Sequence, residues 1–409
     1  MAQTSTSSDG AERILLMSLG SRGDMEPFLA LAEELRRERS TELRLAFCFP
    51  EQFRSLASEV SSEFYGLDRA FLELMESDDV KKIIAQVGSF LSRARAFWRL
   101  FWDTKPLQQQ LIRDQRQAVE AFRPDLIIFH IKCVYPILAA LQLGQRVKLL
   151  CPVPCMLHPV DSEPSVGFGS PGSVWWNRLT YTLANKMMIE KAILGFGAPL
   201  CREFGFQSLD RQQLEHWIFH VLPTEYAISE ELFPRPSEWP EHVVMSNFRE
   251  RDKTKHWAPP AEVVAFFEKH PAPLYVGFGS MINDRPKEIG QILLAVTAEM
   301  QLPVLLNAGW GGIEVEDCPA HALLVRDIPF DWLFPRVRAV VHHGGSGTTH
   351  SALRCGRKQL IIPHLADQFM WMRLVAKANQ GPMGVAIKDF TKESFQKALT
   401  DLLNPAVPR

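Results

Sequence analysis

Residues 342–349, HHGGSGTT, put two imidazoles, three glycines and three hydroxyls into eight positions. The apolar run RAVV (338–341) before them reads as a buried strand, and SALR (351–354) after them as a helix start. Glycines in a strand-to-helix turn let the backbone come close to another group. Thr348, Thr349 and Ser351 are residue types that cap helices, and free N–H groups at a helix start favour an anion. A ligand phosphate is the natural occupant; a plain tight turn is the alternative that glycines alone leave open. Two other groupings carry less. Cys151, Cys155 and His158 are too few and too irregularly spaced for a zinc site. Arg22-Gly23-Asp24 spells a cell-adhesion tripeptide, but nothing in the sequence suggests secretion.

The elements that must position such a turn alternate along the chain. Residues 13–20, 43–49, 125–129 and 147–153 read as strands, the first ending in glycine, and 27–37 as an amphipathic helix. Strand–helix alternation implies a parallel sheet with helices on both faces. Between about 225 and 270 the composition turns proline-rich (FPRPSEWP, 233–240; HWAPP, 256–260), which excludes a long helix and reads as a linker. The alternation then restarts, with strands at 274–278, 304–306, 322–325, 339–341 and 360–362 and a helix at 287–300. The expected architecture is α/β: two Rossmann-like parallel-sheet domains, 1–225 and 271–409, joined by a linker at 226–270 and facing across a cleft. The last helix can return to the first domain. Ligands of open parallel sheets bind outside the carboxyl ends of the strands.

The chain has 409 residues, more than one core usually serves. Apolar residues make up 46% and charged residues 22%, ordinary for a globular enzyme. A net charge of −2 gives no case for a nucleic-acid partner. The seven cysteines include no CxxC pair and read as reduced thiols of a cytoplasmic protein. The opening MAQTSTSSDG lacks the apolar core of a signal peptide, and no stretch reaches the ~18 apolar residues of a membrane span.

Several motifs resemble those of one family. YVGFGSM (275–281), DIPFDWLFPRVRAVVHHGGSGTT (327–349) and ADQ (366–368) resemble the carboxyl-terminal domain of GT-B-fold, family-one glycosyltransferases. The likeness is above all to sterol glucosyltransferases and to bacterial macrolide and glycopeptide glycosyltransferases. GSRGDMEP (20–27) resembles their amino-terminal loop and FPRPSEWP their interdomain stretch. The resemblance implies a UDP-sugar donor, bound as co-substrate by the carboxyl-terminal domain, and an apolar small-molecule acceptor in the amino-terminal one. It implies transfer with inversion, no permanently bound cofactor and no required metal.

Site residues follow from the same motifs. Charge grows on the departing diphosphate, so fixed donors aimed there accelerate transfer; Ser346, Gly347, Thr348 and Thr349 would supply them at the helix start. His343 stands at the family's diphosphate-contacting histidine, and its neighbour His342 points the other way and packs. Ser280 matches a second phosphate contact, with a simple turn residue as alternative. The backbone of Asp327-Ile328-Pro329 would meet the nucleobase, with Trp310 as a candidate wall or an ordinary loop aromatic. Asp367-Gln368 fits the pair that reads the sugar hydroxyls. Ala366 and His364 depart from the family's usual glycine and large apolar residue, which touches the choice of sugar. Asp24, in the loop after the first strand, is the expected general base. An ordinary aspartate is weak at neutral pH, so burial or a partner must help it. Plant relatives place histidine there and an aspartate at a later strand end. His130 takes that second place here, so the acid–histidine pair would have its members exchanged; a structural histidine is the alternative.

Acceptor specificity belongs to the least patterned regions, 65–115 and 155–220. Residues 81–102 carry five basic side chains, no acid, and Phe90, Phe97, Trp98, Phe101 and Trp102. Such a helix can lie peripherally on an anionic membrane, or simply line an apolar pocket with its basic face in water. Trp175-Trp176 and Met187-Met188 offer more apolar lining, or ordinary core. Among rivals, an oxidoreductase would want GxGxxG after the first strand, where Gly20-Ser21-Arg22-Gly23 stands instead. A non-catalytic lipid- or nucleotide-binding protein of this fold, and an epimerase or hydrolase needing no second substrate, remain as alternatives.

Overall fold

The computed structural model describes residues 11–39, 43–70, 90–251, 253–254, 257–279, 281, 283–309, 312–365 and 367–404, with side chains of the long helix described from residue 104. Chain contacts divide it into two units. The first is Met1–Pro152, Leu179–Ala227 and Pro236–Arg249; the second is Val153–Arg178, Ile228–Arg235 and Glu250–Arg409.

The first unit holds seven parallel strands: β1 (Glu12–Met17), β2 (Leu43–Pro50), β3 (Phe64–Leu67), β4 (Leu126–Phe129), β5 (Val147–Cys151), β6 (Thr224–Ala227) and β7 (Val243–Ser246), in the order β3-β2-β1-β4-β5-β6-β7. The second holds β8 (Leu274–Gly277), β9 (Val304–Asn307), β10 (Ala322–Val325), β11 (Ala339–His342) and β12 (Gln359–Ile361), in the order β10-β9-β8-β11-β12. Strands covered on both faces are nearly continuous apolar runs rather than alternating ones. Ile14, Leu16, Phe28, Phe47, Phe49 and Ile128 form one core; the second sheet has a core on each face, around Val276, Val304 and Val341 and around Tyr275, Leu305 and Val340.

Both sheets reverse direction once, between β1 and β4 and between β8 and β11. At such a switch point the connections leave to opposite sides and open a crevice beyond the strand ends. The pairing Met17↔Phe129 brings the turn after β1 beside His130. The pairing His342↔Gly277 brings His343 beside the turn after β8.

Three local expectations shift. The first helix is Arg22–Glu38, starting a turn before Pro27 with Ser21 as N-cap. Pro27 stands inside the helix and forgoes one backbone bond, yet the helix continues through it, so Asp24 lies in the first helical turn and not in a loop. The stretch 226–270, expected as a linker, holds β7 and the helix Ala261–Lys269 as well as its prolines. β3 (FYGL), interrupted by a glycine, is not among the strands expected from the sequence.

Candidate functional site

In the first unit, β1 ends at Met17 and the chain turns through Gly20, whose φ of +135° only glycine adopts readily. A Cβ there would collide with the Asp24 carboxylate. Asp24 Oδ2 accepts the Ser21 backbone N–H at 2.7 Å and the Ser21 hydroxyl at 3.1 Å. Its Oδ1 receives the Lys132 ammonium at 2.8 Å and faces His130 Nε2 at 3.7 Å. The sequence brought Asp24 and His130 forward but missed Lys132, whose only signal was its place two residues beyond a strand-end histidine. Burial pushes Asp24 upward, but the Lys132 ammonium, then His130 and the hydrogen bonds from Lys132 and Ser21, outweigh it and hold the carboxyl below its ordinary value. With Lys132 seated, Asp24 is therefore a weaker base than an ordinary aspartate, against the expectation that a partner would strengthen it.

His130 is 1% exposed. Its Nδ1 accepts the Lys132 backbone N–H at 3.2 Å, so the neutral ring carries its proton on Nε2, toward Asp24. Burial, then the Lys132 charge, lower it to about 3 against the pull of Asp24.

In the second unit, β11 delivers His342 and His343 to opposite sides. His342 is fully buried; its Nδ1 accepts the Gly344 N–H at 3.1 Å and its Nε2 meets Gln359 Oε1 at 2.9 Å. His343 is half-buried and lies over the turn after β8, where a Cβ on Gly279 would stand 3.0 Å from its Cε1. Its Nδ1 is shielded from solvent and has no hydrogen-bond partner among the described residues. Burial, then His342 and His364, lower it to about 3, so the ring is neutral at pH 7. Gly309 brings a third turn against Gly279: with φ +57°, a Cβ there would strike the Gly279 carbonyl.

The helix Ser346–Arg354 starts beside His343, with Gly345 as N-cap. Its first ladder bond runs from Thr349 N–H to the Gly345 carbonyl at 3.0 Å, so the N–H groups of Gly347 and Thr348 lie ahead of the ladder. Gly347 is exposed and Thr348 half-buried. The other two hydroxyls are engaged inward. Thr349 is buried and donates to the Gly345 carbonyl at 2.9 Å; Ser346 Oγ lies 3.4 Å from His350 Nδ1. His350 Nδ1 donates to the Ser346 carbonyl at 2.7 Å, and its Nε2 accepts the Ser229 N–H at 3.1 Å.

Asp367 is half-buried at the N-cap of the helix Gln368–Lys377. Gln368 is 4% exposed and turned into the fold. Its carbonyl accepts the N–H groups of His364 and Leu365 at 2.7 and 3.1 Å, and its amide meets the Met281 sulfur at 3.2 Å. The His364 ring packs edge-on against Phe278, centroids 5.1 Å apart. Ile328 is 6% exposed, its side chain in the core with Leu333 and Phe334, after Asp327 at φ +51°. Ser280, Trp310 and Ala366 lie outside the described residues, as do 81–89 and the side chains of 90–102. Trp175 and Met187 are 71% and 49% exposed, so neither is core; Trp176 Nε1 donates to the Gly169 carbonyl at 2.9 Å. Among the described residues no group of three or more His, Cys, Asp or Glu could hold a metal ion. No helix among them is long and apolar enough to cross a membrane.

Residues 292–407 match the family model described as "Erythromycin biosynthesis protein CIII-like, C-terminal domain". Sterol 3-beta-glucosyltransferase UGT80B1 of Arabidopsis thaliana is 28% identical over 400 residues, covering 97% of this chain and 63% of that protein. Sterol 3-beta-glucosyltransferase UGT80A2 of the same plant is 32% identical over 413 residues, covering 97% of this chain and 61% of that protein. The chain thus spans somewhat under two thirds of these relatives' length. Among solved structures, the glycotransferase of kitacinnamycin superposes with a TM-score of 0.67 at 15% identity, over 97% of this chain and 91% of that one, a likeness of fold. Residues 292–407 thus resemble the erythromycin CIII-like C-terminal domain, in a chain that has the fold of solved glycosyltransferases and is similar to sterol 3-beta-glucosyltransferases along nearly its whole length.

Proposed function

We propose that this chain is an inverting glycosyltransferase that moves a sugar, glucose, from a UDP-sugar to a hydroxyl of an apolar small molecule such as a sterol or terpenoid. Kinship with two plant sterol 3-beta-glucosyltransferases along 97% of the chain supports the substrate classes. One structural observation carries the donor half. The His343 Nδ1 is buried, with no partner among the described residues, over a turn that glycines keep open, beside a helix start whose Gly347 and Thr348 N–H groups precede the ladder. A neutral imidazole and backbone donors suit a diphosphate whose charge grows as its bond to the anomeric carbon breaks.

Asp24 takes the proton of the acceptor hydroxyl as its oxygen bonds to the anomeric carbon, and the electron pair of the broken bond leaves on the nucleoside diphosphate. His130, neutral and with Nε2–H toward Oδ1, orients the carboxylate and does not compete for the proton. Asp367, at the N-cap of the helix Gln368–Lys377, reads the sugar hydroxyls, and the Gln368 amide is engaged within the fold. Peripheral membrane contact through 81–102 belongs to the same reading, as a route for a lipid acceptor.

The test is a thermal-shift panel of UDP, dTDP, GDP and NAD, followed by nucleotide release from the matching sugar donors with and without a sterol. A ligand at 100 times its Kd stabilises by about 2.7 kcal/mol. Stabilisation by UDP, lost in His343→Ala, and sterol-dependent UDP release from UDP-glucose are the expected results. Binding of UDP with no release from any donor would make this a non-catalytic nucleotide-binding protein.

A further inference from the structure

We propose that Lys132 is a positioning residue that guards the base: its ammonium sits where the acceptor hydroxyl must bind Asp24, keeping water from using that carboxylate until the acceptor displaces it. This rests on the reading of Asp24 as the base of a sugar transfer.

Both oxygens of Asp24 are occupied. Oδ2 takes two hydrogen bonds from Ser21, one from backbone, and these fix the start of the helix Arg22–Glu38. Oδ1 takes Lys132 Nζ at 2.8 Å with the His130 ring 3.7 Å away. The remaining titratable neighbour, the Cys133 thiol, is pushed upward by burial and stays neutral. Of these partners only the Lys132 ammonium can leave cheaply. His130 is 1% exposed and held by the Lys132 backbone N–H, and Ser21 belongs to the helix cap. The Lys132 side chain is 47% exposed, against 19% for Asp24.

Magnitudes decide the order of events. The Lys132–Asp24 contact is itself a charged hydrogen bond, but its ammonium end is 47% exposed, so solvent screening keeps it at the weak end of that class. A hydrogen bond to a charged group is worth about ten- to a hundred-fold. An acceptor hydroxyl anchored by its apolar body therefore displaces the ammonium, which swings into water on its four-carbon stem. A lone water molecule brings no anchoring and competes poorly. Without the ammonium, water meets an open carboxylate. Its proton passes to Asp24, its oxygen bonds to the anomeric carbon, and the diphosphate departs with the electron pair: hydrolysis of the donor.

The experiment compares wild type with Lys132→Met, Lys132→Gln and Lys132→Arg, measuring UDP release from UDP-glucose without acceptor and glucosyl transfer to a sterol. The backbone N–H that fixes the His130 tautomer survives in every variant, so the ratio of hydrolysis to transfer reads the ammonium alone. Lys132→Met and Lys132→Gln should raise that ratio several-fold and lower the acceptor KM, and Lys132→Arg should restore both. A ratio and KM unchanged in Lys132→Met and Lys132→Gln overturns the guard while leaving transferase function intact. So does Lys132→Arg behaving like Lys132→Met. No UDP release from any protein, wild type included, takes down the transferase reading and the guard with it.

Discussion

Lowering the pH from 7 to 5 should destabilise the second unit by several kcal/mol. The cause is a pair of buried histidines whose ring nitrogens are already committed. His342 accepts a backbone N–H from Gly344 on Nδ1, and His350 accepts one from Ser229 on Nε2. A proton on either accepting nitrogen would set N–H against N–H. Burial lowers each ring to about 4, with the Gln359 hydrogen bond opposing it at His342 and the Ser346 one at His350. An unfolded histidine binds a proton near 6.5. Between those values the unfolded chain holds more protons than the folded one, so stability rises with pH through this window and falls as pH drops below 6.5. Integrating from pH 7 to 5 gives a loss of about 2 kcal/mol per ring, or about 4 for this pair, and His343 and His364, lowered by burial to about 3 and about 4, add to it in the same direction. Against a domain stability of about 5–15 kcal/mol this is a large fraction. The measurement is urea unfolding at pH 7, 6 and 5 followed by tryptophan fluorescence, on wild type and His350→Gln. The variant should be less stable at pH 7 but its pH dependence shallower by about 2 kcal/mol. Stability that stays flat to pH 5, or parallel curves for both proteins, would refute the assignment of neutral, hydrogen-bonded rings. Both histidines brace the turn that holds His343, so nucleotide binding should weaken over the same window.

Three further outcomes follow from particular contacts. Asp24→Asn should lower kcat by about 10²–10⁴-fold while leaving UDP affinity unchanged, checked by steady-state kinetics and calorimetry. Gly309→Ala forces a left-handed backbone and a collision with the Gly279 carbonyl; a loss of about 1–3 kcal/mol in denaturant unfolding and weaker UDP binding are expected. Glu163 is 1% exposed and paired with Arg373 at 2.7 Å and with Lys377. Glu163→Ala removes the buried partner of two cations that themselves reach solvent and should cost the second unit about 1–3 kcal/mol, with faster proteolysis within 153–178 as a second readout.

Much of this protein is written locally. Apolar runs bounded by glycine and proline gave nine of the twelve strands, because a strand buried on both faces needs an unbroken apolar stretch. β3, β6 and β7 escaped because FYGL, TEYA and VVMS are broken by glycine or polar residues or end in one, the last amid prolines, so no unbroken apolar run marks them. The glycine turn at 342–349 was legible for the same local reason, since glycine's freedom belongs to one residue at a time. Strand order is not local. Only the assembled sheets put β1 beside β4 and β8 beside β11, bringing Asp24 to His130 and the Gly279 turn to His343. Side-chain commitments are less local still. Lys132 on Asp24, Gln368 turned onto the 364–365 backbone and Thr349 closing its own helix start depend on rotamers chosen by packing. The sequence by itself determined which residue types stand at the strand ends; the tertiary structure decided which of their polar atoms are already taken, because a hydrogen bond is allotted by distance in space and not along the chain.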